Sequence, residues 1–160
     1  MAAEETLTPL NRGRPCVTML MKLGKSLSSS VSLLVWNGIM IKAVGAAKKS
    51  SYKHQMGACI TKGNKVLGVG YNRTNRHQSK IKTTHWPGSY HAETAAVIDA
   101  LRKHTSDKLK GAKITVVRLG KKNQLMLALP CRHCYNMLKN LGIKEVRFSN
   151  DSGGFTSMRF

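Results

Sequence analysis

Residues 89–101 read SYHAETAAVIDAL, an Ala-, Val- and Ile-rich run that predicts a helix from about residue 91 to residue 104 with the composition of a buried element. Two titratable side chains, His91 and Glu93, stand at its mouth. The interior of a small domain is costly for both, so each needs a partner that another part of the chain supplies.

Working outward, AKITVVRL (residues 112–119) has the β-branched density of a strand. A polar break over 120–123 leads through QLMLAL to Pro130, whose fixed φ suits the opening of a second helix. That helix carries Cys134, Met137, Leu138 and Leu141 as one stripe and stops at Gly142, a good C-terminal cap. KEVRFS (144–149) is then a further strand. Upstream, GACITKGNKVLGVGYN (57–72) divides into two β-rich runs around Lys62-Gly63-Asn64-Lys65, a turn of hairpin type. Before it, Leu33, Trp36, Met40, Ala43 and Ala47 recur at helical spacing and end in Lys48 and Lys49, a helix weakened by Gly38 and Gly45. The order helix, strand, strand, helix, strand, helix, strand predicts an α/β domain of two or three layers over residues 31–160, without internal repeats. Residues 1–30 lack sustained periodicity and read as a flexible extension.

A chain of 160 residues fits one domain, and 41% apolar with 21% charged residues excludes a wholly disordered chain. The apolar run over 31–47 is broken by Asn37 and Lys42, so no membrane span is expected, and an amphipathic helix accounts for it better than a secretory signal. Of the four cysteines, Cys16, Cys59, Cys131 and Cys134, only the last two stand close together, which suits a shared metal in a reducing, cytoplasmic setting rather than a disulfide scaffold. The balance of 27 Lys and Arg against 7 Asp and Glu gives +20, a field that attracts nucleic acid or phosphate-bearing ligands. Residues 73–90, RTNRHQSKIKTTHWPGSY, have no clear period; they read as a long functional loop whose Arg73, Arg76, Lys80 and Lys82 suit a phosphate backbone.

Cys131 and Cys134 lie one helical turn apart at a helix start, where both sulfurs converge on one point. A soft cation such as zinc is the natural occupant, and an open catalytic site takes three protein ligands. Two helices packed side by side on one sheet bring their N-termini together, which makes His91 the third ligand and leaves Glu93 beside the site as proton carrier.

His91-Ala92-Glu93 followed by Pro130-Cys131-Arg132-His133-Cys134 matches the H-x-E and P-C-x-x-C signature of zinc nucleobase deaminases. Over roughly residues 35–150 the chain resembles the cytidine and deoxycytidylate deaminase superfamily, above all the deoxycytidylate-deaminase-like proteins of phages and large viruses, through VGYN, HAE and LPCRHC…LGIKEVRFS. The resemblance implies a layered fold, a central mixed sheet of about five strands with helices packed on it. It also implies Zn2+ on His91, Cys131 and Cys134, and hydrolytic deamination in which Glu93 shuttles protons while the backbone N–H of Ala92 steadies the intermediate. Asn72, closing GVGYN, is similar to the superfamily asparagine that bonds the substrate sugar, and equally suits a turn.

Leu129 stands where similar tRNA adenosine deaminases carry glutamate, which favours cytosine as the base. The charge, with Arg102, Lys103, Lys121, Lys122 and Arg132 added to the loop, makes cytosine in single-stranded DNA or RNA the leading expectation. The family likeness favours a free nucleotide such as dCMP. A non-catalytic zinc-stabilised nucleic-acid binder is the third reading, against which Glu93 speaks, since a structural site has no use for it. A homo-oligomer is compatible with each. Tyr71, Trp86 and Tyr90 are expected either to stack on a base or to pack in the core, Cys59 to be core, and His54, His77, His85, His104 and His133 to face solvent.

Overall fold

The structure is a computed structural model that describes residues 30–74 and 89–160, with side chains from residue 37 onward. The extension expected over residues 1–30 lies outside the described residues apart from Ser30, as do Arg76, His77, Lys80, Lys82, His85 and Trp86. In chain order the elements are α1 (Ser30–Ala47), β1 (Gln55–Lys62), β2 (Lys65–Tyr71), β3 (Arg73–Thr74), β4 (Ser89–Tyr90), α2 (Ala92–Lys103), α3 (Ser106–Leu109), β5 (Lys113–Leu119), β6 (Leu125–Met126), α4 (Arg132–Asn140), β7 (Glu145–Ser149) and β8 (Phe155–Arg159).

Gly63 takes a φ of 58° at the first central position of the β1–β2 turn, which a hairpin of type II′ requires and a side chain would resist. The hairpin runs in register from Lys62↔Lys65 to Gly57↔Tyr71, with a bulge at Ile60 and Thr61. β5 adds antiparallel to β1, β7 lies parallel to β5, and β8 closes antiparallel on β7, giving the order β2-β1-β5-β7-β8. β6 folds back on the end of β5, so the mixed sheet has six strands. β3 and β4 form a separate ribbon in which Arg73 faces Tyr90. The expected order of elements stands; β6, β8, the short α3 and this ribbon are additions.

Alternation along β5 divides the two faces. Val117 and Leu119 pack with Cys59 against Ala43 and Ala47 of α1. Ile114 and Val116 pack with Ala58 and Ile60 against Ala96, Val97 and Ala100 of α2 and Leu138 of α4. Helices on both faces make three layers, with α2 and α4 side by side on one of them.

The register of α2 is set by glycine. A Cβ at Gly70 would come to 2.7 Å from Ala92 O and closer still to the backbone of Ala95 and Ala96, so the helix start rests directly on the end of β2. Asp99 adds a polar tie, its Oδ2 accepting hydrogen bonds from Val69 N at 2.9 Å and Lys103 Nζ at 2.8 Å.

Candidate metal centre and active site

β2 and β5 both run antiparallel to β1, so they end at the same edge of the sheet. The first turn of α2 sits over the end of β2. The chain leaving β5 is held beside β7 by Ala128 N donating to Ser149 O at 2.9 Å before it reaches buried Pro130 and α4. Both helix starts therefore meet at one edge, with His91 and Cys131 as their N-caps.

There His91 Nδ1 lies 3.5 Å from Cys131 Sγ and 3.4 Å from Cys134 Sγ, and the three ligand atoms fall within 4.8 Å of one another. Zinc bonds of about 2.3 Å to sulfur and about 2.0–2.1 Å to nitrogen, opened to a tetrahedral angle, put N and S about 3.5 Å apart. The observed separations match that demand. Cys131 and Cys134 are free thiols, and Thr94 Oγ1 lies 4.0 Å from Cys134 Sγ. Burial pushes the Cys134 thiol well above the ordinary cysteine range, and the negative charges of Glu93 and Cys131 push the same way. A cation bound there removes the conflict.

Glu93 is 1% exposed. Burial raises its pKa, opposed by hydrogen bonds from its own backbone N–H and from Cys134. Among the described residues its Oε2 has no hydrogen-bond partner, an orphaned buried oxygen. Neither His91 nor Cys131 caps its helix with a side-chain bond, so the amide of Ala92, the first residue of α2, is left without a capping side chain.

Asn72 is fixed by backbone: Met56 N donates to its Oδ1 at 2.8 Å, and its Nδ2 donates to His54 O at 2.7 Å. The turn role is thus realised, and one N–H and one lone pair of the amide remain. Arg73 lays its guanidinium 5.8 Å from the Tyr71 ring and 6.0 Å from the Tyr90 ring, so these aromatics pack on a cation beside His91. Cys59 is buried and His133 exposed, as expected. His104 departs from expectation: as the C-cap of α2 it is half-buried, its N–H donating to Ala100 O. His54 is exposed but engaged, its Nδ1 2.9 Å from Arg118 Nη2, a pairing that VVR in a strand gave no sign of.

Residues 37–150 match the family described as the cytidine and deoxycytidylate deaminase zinc-binding region. This chain belongs to that family. His91, Cys131 and Cys134 lie within that stretch, positioned to hold a metal ion. Among relatives, it is 30% identical over 120 residues to the deoxycytidylate deaminase of Pongo abelii and 28% to that of Homo sapiens, covering 68% of this chain and 60% of each relative. The chain thus spans about three-fifths of the length of these relatives. In fold it is similar to the dCMP deaminase of cyanophage S-TIM5 in its apo form, with a TM-score of 0.56 at 22% identity over 75% of this chain and 86% of that one. Cytidine deaminase from Burkholderia pseudomallei gives 0.55 at 23% identity over 77% and 91%. Among the described residues no helix is long and apolar enough to cross a membrane.

Proposed function

We propose that this chain is a hydrolase that converts cytosine to uracil in a free nucleotide, with dCMP as the leading substrate. One observation carries the reading: a buried carboxylate with an orphaned oxygen stands two residues from His91, which converges with Cys131 and Cys134. A purely structural zinc site needs no such group. The deoxycytidylate deaminase relatives supply the base and the nucleotide form.

Zinc held by His91, Cys131 and Cys134 supplies the Lewis acidity that makes water a nucleophile near neutral pH. Glu93 takes a proton from the attacking water as its oxygen bonds to C4 of cytosine, and passes that proton to N3. It then moves the second proton to the exocyclic nitrogen; the C4–N4 bond breaks, and ammonia leaves with uracil behind. The Ala92 N–H, at the start of α2, steadies charge on the tetrahedral intermediate. Asn72, immobilised by His54 and Met56, offers its remaining N–H to the sugar, and Arg73 offers charge beside it.

The test is a panel of dCMP, cytidine and a single-stranded oligonucleotide, with uracil read by mass and ammonia by a coupled assay. Uracil from dCMP is expected, and the absence of uracil from every member contradicts the proposal. The net charge of +20 favours a second reading, in which the cytosine sits in a strand that also contacts Arg76, Lys80 and Lys82. A salt titration of binding separates the two, because affinity for a strand falls steeply in proportion to the phosphates contacted and affinity for a mononucleotide falls little.

A further inference from the structure

Arg118 stands out on β5. Ile114 and Val116 put its side chain on the face covered by α2 and α4, because Val117 and Leu119 face α1. Its cross-strand neighbours are Met56 and Met126, both apolar. Among the described residues the guanidinium hydrogen-bonds His54 Nδ1, 2.9 Å from Nη2, and its Nε is buried without a hydrogen-bond partner. Among the described residues no carboxylate forms a salt bridge with it. A guanidinium only donates, so Nδ1 of His54 accepts and His54 brings no negative charge. A half-buried cation left without an anion is costly, and an anion arriving from outside the chain offsets that cost.

The location says which anion. Arg118 is the penultimate residue of β5, at the edge of the sheet where α2 and α4 begin. Its backbone N–H donates to Ser149 Oγ at 3.1 Å, and that hydroxyl donates to Met126 O at 2.6 Å. Those bonds fix the end of β5 against the segment leading to Cys131. The guanidinium thus shares both the face and the edge of the sheet with the zinc ligands.

We propose that Arg118, oriented by His54, recognises a phosphate oxygen of the substrate at the mouth of the zinc site. The terminal Nη–H groups form a planar fork that matches a pair of phosphate oxygens. The identity of the phosphorylated ligand rests on the deamination reading, but binding is read without turnover. Two sources present this chemistry, the terminal phosphate of a mononucleotide and a phosphodiester in a strand.

The experiment measures the affinity of the full zinc-loaded chain for dUMP, deoxyuridine and a short single-stranded deoxyuridine oligonucleotide by calorimetry. Arg118→Gln is expected to lower the preference for dUMP over deoxyuridine by about tenfold or more, and Arg118→Lys to restore part of it. His54→Ala lowers the same ratio less, and His54→Gln, which keeps an acceptor, restores it. Zinc content and melting temperature of each variant establish that it is folded. Loss of preference for the oligonucleotide alone upholds the proposal with a phosphodiester as the anion. An unchanged ratio, equal weakening of dUMP and deoxyuridine, or a folded wild-type chain that binds none of the three overturns it. If wild-type protein releases no uracil yet shows the Arg118-dependent ratio, deamination fails and the phosphate site stands.

Discussion

Replacing Glu93 by Gln keeps its volume and removes the exchangeable proton. Glu93→Gln is expected to slow cytosine turnover by about 10²–10⁴-fold, the usual worth of general acid–base catalysis, while metal analysis still finds one zinc per chain. Loss of zinc together with activity would make Glu93 a structural residue. At this scale His91, Glu93, Cys131 and Cys134 were legible because each lies at a helix start and the cysteines are one turn apart. Arg118 was not: in KITVVRL it reads as a stray charge in a buried strand. Its face and its end of the sheet appear only once α1 is known to cover Val117 and Leu119. Asn72 was half legible, since a residue that closes a strand serves a turn and a ligand equally well until its amide partners are seen.

Helix α2 reaches the site because β2 has no side chain beneath its first turns. Gly70→Ala is expected to destabilise the fold by about 1–3 kcal/mol, since its methyl group would overlap the backbone of Ala95 and Ala96. Urea unfolding reads the loss, and weaker zinc binding accompanies it because His91 moves with the helix. Unaltered stability would mean that α2 does not rest on Gly70. A second tie lies between β5 and β7, where Glu145 faces Lys113 in register, Oε2 2.8 Å from Nζ, and also pairs with Arg147. Burial alone would raise the Glu145 pKa, but hydrogen bonds from Lys113 and Arg147 and their charges outweigh it and hold the carboxyl below the ordinary 4.5. A depressed carboxyl contributes stability that is complete above its ordinary pKa and is lost as pH falls through the folded value. Unfolding free energy is therefore expected to drop below about pH 4.5, and Glu145→Gln to flatten part of that drop; an identical acid limb in the variant would contradict the pairing. The long elements were legible from period and caps. β8 was not, because FTSMR sets only Phe155 and Met158 inward and pairs along one edge of β7.

The whole molecule brings two helix starts to one edge of a mixed sheet, with Arg118 near the end of β5 and Arg73 just beyond the end of β2. Class and element order followed from the alternation of helical and β-rich segments and the number of layers did not, whereas the choice between strand and free nucleotide turned on charge, which speaks of attraction and not of pocket shape. The proposed reaction is hydrolytic: an oxygen from solvent replaces the amine at C4 of cytosine. The direct measurement incubates the zinc-loaded chain with dCMP in ¹⁸O-enriched water and reads the product by mass spectrometry. The expected product is dUMP carrying one heavy oxygen on its base, with one ammonia released for each molecule formed. Recovery of dCMP unchanged, or of dUMP without solvent oxygen, would contradict it.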